Sequence, residues 1–238
     1  LNGKTVTFDG TLTVAEGKTL SGMDSSAGAD YVTAPGGKIV GTVTGTVAPV
    51  FEKPLTDDPE YNYLRYVAIK NDAGTEYTFH RFNISVTGYR FELATGDTPQ
   101  CALFFIGKFQ GDKAAKDYLK SLGFTLTDID GTTTKKVSCP MPGSLSDGTD
   151  TENSTVITDD GAYFFEAYLM RDINKKDSAT YQTPFTATAQ ATFQNDETQN
   201  SETKKWSFQE AWQNALTDSD MDISPAEKEI LEKFLEDL

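Results

Sequence analysis

Histidine occurs once in this chain, at His80, and cysteine twice, at Cys101 and Cys139. One histidine leaves triad-type acid–base chemistry a single centre, and the neighbours Phe79 and Phe82 mark His80 as a strand residue beside a bulge, with a structural role. Two cysteines exclude a disulfide scaffold. One bridge between them stays open, although cysteines in separate strand-like segments more often serve as small buried hydrophobes, and a thiol in an apolar strand is inert. Cations are scarce: 21 Lys and Arg against 36 Asp and Glu give a formal charge of -15. That balance repels phosphate backbones and anionic lipid heads, so nucleic acid and membrane surfaces are not the expected partners. No run approaches the ~20 apolar residues of a membrane-spanning helix. No Gly-x-Ser-x-Gly elbow follows a strand, and Gly36, Gly37 and Gly41 introduce strands instead of opening a helix, so nucleophilic catalysis and phosphate cradling lack a motif. Leu1 opens on strand-like sequence without an initiator Met or signal peptide, as expected of a piece of a longer protein.

What is present is β-forming sequence. With 37% hydrophobic and 11% aromatic residues the 238-residue chain has enough apolar material for a core. Val6, Phe8, Leu12 and Val14 alternate with threonines, and Ile39, Val43 and Val47 repeat the pattern behind another Gly-Lys turn. These phrases fit either the last rungs of a β-solenoid or two ordinary hairpins. Residues 48–62 carry three prolines and five charged residues, which predicts that strand pairing stops there and a linker or crossing loop begins. Beyond it, Tyr77 and Phe79, then Phe82, Ile84 and Val86, then Tyr89, Phe91 and Leu93 alternate, with parity flips at His80–Arg81 and Thr87–Gly88 that call for a bulge or turn. Ala102–Ile106 is apolar at every position and reads as a strand covered on both faces; Tyr163–Met170, apolar on both parities apart from Glu166, reads as a central strand too. Asp112 caps a short helix in which Ala115, Tyr118, Leu119 and Leu122 share a face and Gly123 provides the stop. Residues 143–161 read as a mobile surface loop. Phe185–Phe193 alternates as a half-exposed strand, an edge able to add to a partner's sheet. Ser207 with Glu210 and Ser224 with Glu227 are capping boxes opening two acidic, amphipathic helices.

The expected fold is therefore mainly β: a β-sandwich-like domain with a short inserted helix, preceded by β-solenoid or hairpin strands and followed by two C-terminal helices. The expected division is a Thr/Val/Gly-rich region at 1–55, the sandwich at 56–200 and a helical tail at 201–238.

Candidate sites are few. Asp218, Asp220, Asp222 and Glu227 resemble half of a calcium loop between two helices, but Met221 replaces the required glycine and Leu216 the first ligand, so a cap on the following helix is the plainer reading. Glu166 is the one carboxylate that interrupts a central apolar strand, hence the first place to seek a glycosidase pair; a salt-bridged Glu is the plainer reading. Tyr61, Tyr63, Tyr66, Tyr89 and Tyr168 could stack on sugars or anchor a protein. No cofactor is expected.

The phrases GGKIVGTVTGTVAPVFEK, RYVAIKNDAGTEYTFHRFNISVTGYRF and CALFFIGKFQGD, within residues 36–125, resemble modular segments of large wall-attached surface proteins of Gram-positive gut bacteria. The resemblance implies an exported, non-catalytic module on the bacterial cell surface that acts as an adhesin or binder of host proteins, some of that kind being similar to immunoglobulin-binding superantigens. Its implied partner is a host protein such as immunoglobulin, with a mucin-type glycan or a bare structural spacer as alternatives. It transfers no binding residue.

Overall fold

A computed structural model describes residues 5–13, 38–44, 50–54, 63–73, 75–94, 99–127, 134–139, 141, 156–159, 161–173, 181–218 and 223–236. The strands are β1 (Thr5–Thr13), β2 (Lys38–Thr44), β3 (Val50–Pro54), β4 (Tyr63–Lys70), β5 (Glu76–Ala94), β6 (Gln100–Gly111), β7 (Leu119–Thr127), β8 (Thr134–Cys139), β9 (Val156–Asp159), β10 (Ala162–Asp172), β11 (Phe185–Phe193), β12 (Thr198–Asn200) and β13 (Lys204–Trp206). A one-turn helix α1 (Lys113–Asp117) joins β6 to β7, and α2 (Phe208–Thr217) and α3 (Pro225–Glu236) close the chain. Among the described residues, one sheet runs β1-β2-β5-β6-β10-β9 with β4 and then β3 on the other edge of β5, and a second runs β12-β11-β7-β8 with β13 also on β11. The protein is mainly β, with two facing sheets, a short internal helix and two C-terminal helices.

The core lies between the sheets because alternate residues of β5, β6, β10, β7 and β11 point into it. Phe105 meets Phe185 at 5.4 Å between ring centres, Phe82 meets Phe193 at 5.0 Å, and Phe124 meets Phe165 at 5.0 Å. Phe185, Ala187, Ala189, Ala191 and Phe193 are fully buried, as their alternation predicts. The strand is interior, however, not an edge: β7 pairs on one side of β11, and β12 and β13 on the other. The short strands β12 and β13 have too little periodicity to be read in sequence, so the edge they cover looked open.

Both capping boxes form. Ser207 Oγ accepts from Glu210 N–H and Glu210 accepts from Ser207 N–H; Ser224 and Glu227 make the same exchange. The helices pack on the sandwich through Phe208, Ala211, Trp212 and Leu231. Trp212 packs between Tyr181, tilted against it, and Phe234, edge to face, and its indole N–H donates to Cys101 Sγ at 3.2 Å.

Several local expectations give way to longer-range pairing. The helix after Asp112 ends at Asp117, and Leu119, Leu122 and Gly123 belong to β7. The cap is real, since Asp112 Oδ1 accepts from Ala115 N–H, but ladders to β8 and β11 capture the residues that follow. Gly123 is no helix stop: a Cβ there would lie 2.2 Å from the Val137 carbonyl oxygen, so the close approach of β7 and β8 requires glycine. Within 48–62, Val50–Pro54 pairs with Tyr63–Val67. Pro54 sits at the strand's last position, where a missing donor is tolerated. Of the loop read at 143–161, Val156–Asp159 pairs with β10.

The two parity flips have different causes. Between Val86 and Gly88 the β5–β6 register shifts, the expected bulge. At His80–Arg81 the β4–β5 register is unbroken; instead both sheet faces are covered there. By that register Phe79, Arg81, Tyr66 and Ala68 share the outer face and all are buried, while Val67 and Phe82 enter the main core. At the N-terminus β1 and β2 pair in parallel, Thr5 opposite Lys38. Parallel pairing rules out a direct hairpin between them and is the pairing of successive solenoid rungs. β2 in turn pairs with β5, placing these strands in the large sheet.

Candidate functional site

Antiparallel pairing of β5, β6 and β10 arranges their outward residues in rows of three. The rows are Gly88–Ile106–Glu166, Arg90–Phe104–Tyr168, Glu92–Ala102–Met170 and Ala94–Gln100–Asp172. The bulge before Gly88 creates this arrangement. Val86 faces the core, and without the extra residue the even positions 88, 90 and 92 would face it too; the bulge turns Arg90 and Glu92 outward and Tyr89, Phe91 and Leu93 inward.

Arg90 then crosses the middle strand. Its guanidinium carbon lies 3.7 Å from the centre of the Phe104 ring, while Nε and Nη2 donate to the two Glu166 carboxylate oxygens at 3.0 and 3.1 Å. Nη1 donates to Glu92. The Glu166 hydrogen bond is the main influence that raises the Arg90 pKa above its ordinary value; burial works the other way. This arrangement answers the question about Glu166. Both its oxygens accept from one guanidinium, so Glu166 is the salt-bridged carboxylate of the plainer reading.

Beside the ion pair the small Ala102 leaves a hollow of about 370 Å³, walled by Phe104 and Tyr168 and rimmed by Glu92, Gln100 and Met170. The Phe104 and Tyr168 rings are 5.2 Å apart and tilted by 39°. Met170 is 46% exposed, the one large hydrophobic exposed to that degree among the described residues. The sequence reading of Ala102–Ile106 as a strand covered on both faces therefore fails on the outer face, where Ala102, Phe104 and Ile106 are only half-buried; Tyr163–Met170 is the central strand expected, between β6 and β9, with Phe164 and Tyr168 half-buried on the same outer face. Sequence reasoning singled out Glu166 and Tyr168 but missed Arg90, Ala102, Phe104 and Met170. The signal was the double-parity apolar run itself.

The other candidates are placed as follows. His80 Nδ1 and Asp112 Oδ2 are 3.0 Å apart, and Asp112 also caps α1. Burial pushes the Asp112 pKa up, but the hydrogen bonds from His80 and Ala115 and the His80 charge outweigh it and hold the carboxyl below its usual value. The pair fastens β5 to α1, a structural role. Cys101 and Cys139 are buried thiols with no disulfide between them; burial pushes the Cys101 thiol up to about 12 against the lowering effect of Trp212. Tyr66 is buried, and Tyr89 packs on Trp206 while its hydroxyl accepts from Asn214. Tyr61 lies outside the described residues, as does the Tyr63 side chain. Of the calcium candidates, Asp220 and Asp222 lie outside the described residues, Asp218 is exposed, and Glu227 is engaged in its capping box. Among the described residues no three His, Cys, Asp or Glu side chains gather as a metal site, and no helix is long and apolar enough to cross a membrane.

Comparison with protein-family models, with curated proteins and with solved structures finds no match.

Proposed function

We propose that this chain is a non-catalytic binding module of a bacterial cell surface that recognises a host protein, with immunoglobulin the first partner to test. The observation that carries the reading is the outer face of β5, β6 and β10, where Phe104 and Tyr168 stand partly exposed and Met170 46% exposed on a sheet instead of in a core. Contiguous aromatic and thioether surface rimmed by charged groups is the composition of protein-recognition sites. The cell-surface setting rests on the resemblance within residues 36–125. A mucin-type glycan is the second reading, favoured by the tilted Phe104–Tyr168 pair, because aromatic faces also stack on sugar rings.

The test is binding of the purified chain to an array of serum and secretory immunoglobulins and mucin glycans, with and without calcium, alongside Tyr168→Ser. Saturable immunoglobulin binding that Tyr168→Ser weakens, with unfolding unchanged, supports the proposal. Glycan binding alone would move the assignment to the second reading. Silence from a folded, elongated molecule would make the chain a spacer.

A further inference from the structure

Several polar groups around the outer-face hollow are engaged with one another, while Glu92 keeps a side chain that is 56% exposed. Gln100 Nε2 donates to Asp172 Oδ1 at 2.8 Å, and Arg90 is shared between Glu166 and Glu92. A sugar ring carries hydroxyls around its edge, and each one desolvated without a partner is costly. What the hollow offers instead is apolar: the faces of Phe104 and Tyr168, the Ala102 methyl on the floor and the Met170 thioether on the rim. A flexible, polarizable methionine beside two rings adapts to an apolar side chain of another protein. The volume, about 370 Å³, is at the small end of ligand pockets, which run from roughly 300 Å³ upward. It suits one anchoring side chain rather than an extended chain of sugars.

The rim has a sign. Arg90 contributes one positive charge against the two carboxylates it binds, the Glu92 side chain remains 56% exposed, and Asp172 closes the end of the fourth row. Lys135 Nζ, 5.5 Å from the Tyr168 ring centre, is a second positive charge on that wall, so Arg90 and Lys135 stand against Glu166, Glu92 and Asp172 and the rim keeps a net negative charge. The whole chain carries -15, so its field favours a cationic partner surface. Resting on the protein-binding reading, the geometry points to the Ala102 hollow as the docking site for one apolar side chain, leucine, methionine or aromatic, on a partner that flanks it with lysine or arginine facing Glu92 and Asp172.

Four methionines occur in the chain, so methyl-labelled methionine gives a sparse spectrum in which Met170, assigned through Met170→Leu, reports directly on the hollow. The probes are the peptides Ac-Lys-Trp-Lys-NH2 and Ac-Glu-Trp-Glu-NH2 and the disaccharide N-acetyllactosamine, each titrated to about 1 mM, the range of single-anchor affinities. The expected result is a saturable Met170 shift with the basic peptide, several-fold weaker with the acidic one and absent with the sugar. Ala102→Trp, which fills the floor, should abolish the shift with the melting transition intact. If that variant unfolds, Glu92→Gln serves instead and should erase most of the preference for the basic peptide. No Met170 response to either peptide, an equal response to both, or a response to the sugar alone overturns the inference. Immunoglobulin binding that Ala102→Trp leaves unweakened, against the roughly thirtyfold loss expected of a hot spot, keeps the host-protein reading and removes this site from it. A Met170 response to the basic peptide from a chain that binds nothing on the array keeps the site and removes that reading.

Discussion

Gly107 lies in the centre of β6 on the core face, directly opposite Phe165 of β10. A Cβ added there would stand 2.4, 2.5 and 2.8 Å from Cζ, Cε2 and Cε1 of the Phe165 ring, where carbon atoms prefer about 3.5–4.0 Å. The ring must retreat by about 1 Å, and it is fully buried against Phe124 at 5.0 Å. Overpacking of this kind costs about 1–3 kcal/mol. Replacing glycine also restricts the unfolded chain, a gain of about 0.4–1 kcal/mol where the backbone permits alanine. The clash is the larger effect, so Gly107→Ala should destabilise the protein by about 1–2 kcal/mol. Phe165→Leu removes the obstructing ring and costs stability by itself, but alanine at 107 should then be nearly neutral, giving a coupling of about 1 kcal/mol or more between the two changes. Urea unfolding followed by the fluorescence of Trp206 and Trp212 measures all four corners of the cycle. A Gly107→Ala loss below about 0.5 kcal/mol, or the same loss in both backgrounds, would refute the assignment of Gly107 as the seat of the Phe165 ring.

Other outcomes follow from the same geometry. Ser207→Ala removes one half of the first capping box and should cost about 1 kcal/mol, read as a lower urea midpoint with unchanged slope. The Asp112 carboxyl titrates below its ordinary 3.8 in the folded state, so its stabilisation is full above the unfolded value and disappears as pH falls through the folded one. Asp112→Asn should therefore weaken the protein at neutral pH while the gap to wild type closes on acidification below that value; a gap independent of pH refutes the linkage. Native protein treated with iodoacetamide at mildly alkaline pH should stay unmodified by mass, because both thiols are buried and Cys101 titrates at about 12; after unfolding, two adducts should form. Rapid labelling of the native chain would show that the helices over Cys101 open easily.

Where sequence and structure agree, the signal is local or strictly periodic. The alternation of Phe185–Phe193 and the Ser207–Glu210 and Ser224–Glu227 boxes are complete within a dozen residues. The bulge at Gly88 was legible because a parity flip cannot be absorbed otherwise while one face stays buried. The misreadings are cases where a partner distant in sequence decides. Asp112–Gly123 has a cap, an apolar face and a terminal glycine, yet only one helical turn forms, because β8 and β11 offer Leu119–Thr127 two ladders at once. Val50–Pro54 looked unfit for pairing by composition, but β4 pairs with it as far as the terminal proline.

The double-parity apolar run has two outcomes in one sheet, and the difference bears on function. Around Tyr66, Ala68, Phe79 and Arg81 the outer face is buried, so apolar residues at both parities serve the fold. Further along, the same sheet carries Phe104, Ile106, Phe164, Tyr168 and Met170 on its outer face with water within reach of each. A sheet face that needs only solubility alternates to polar residues there, as β11 does with Thr186, Thr188, Gln190 and Thr192. Keeping rings on the outer face of β6 and β10 costs solubility, and Arg90 manages that cost locally by covering Phe104 while Glu166 and Glu92 hold the guanidinium in place. The cover lies over the second row, and Ala102 and Met170 in the third line the hollow beside it. An apolar face capped at one row and open at the next fits the binding surface proposed above, since full cover would close the hollow and none would leave Phe104 exposed in the free protein.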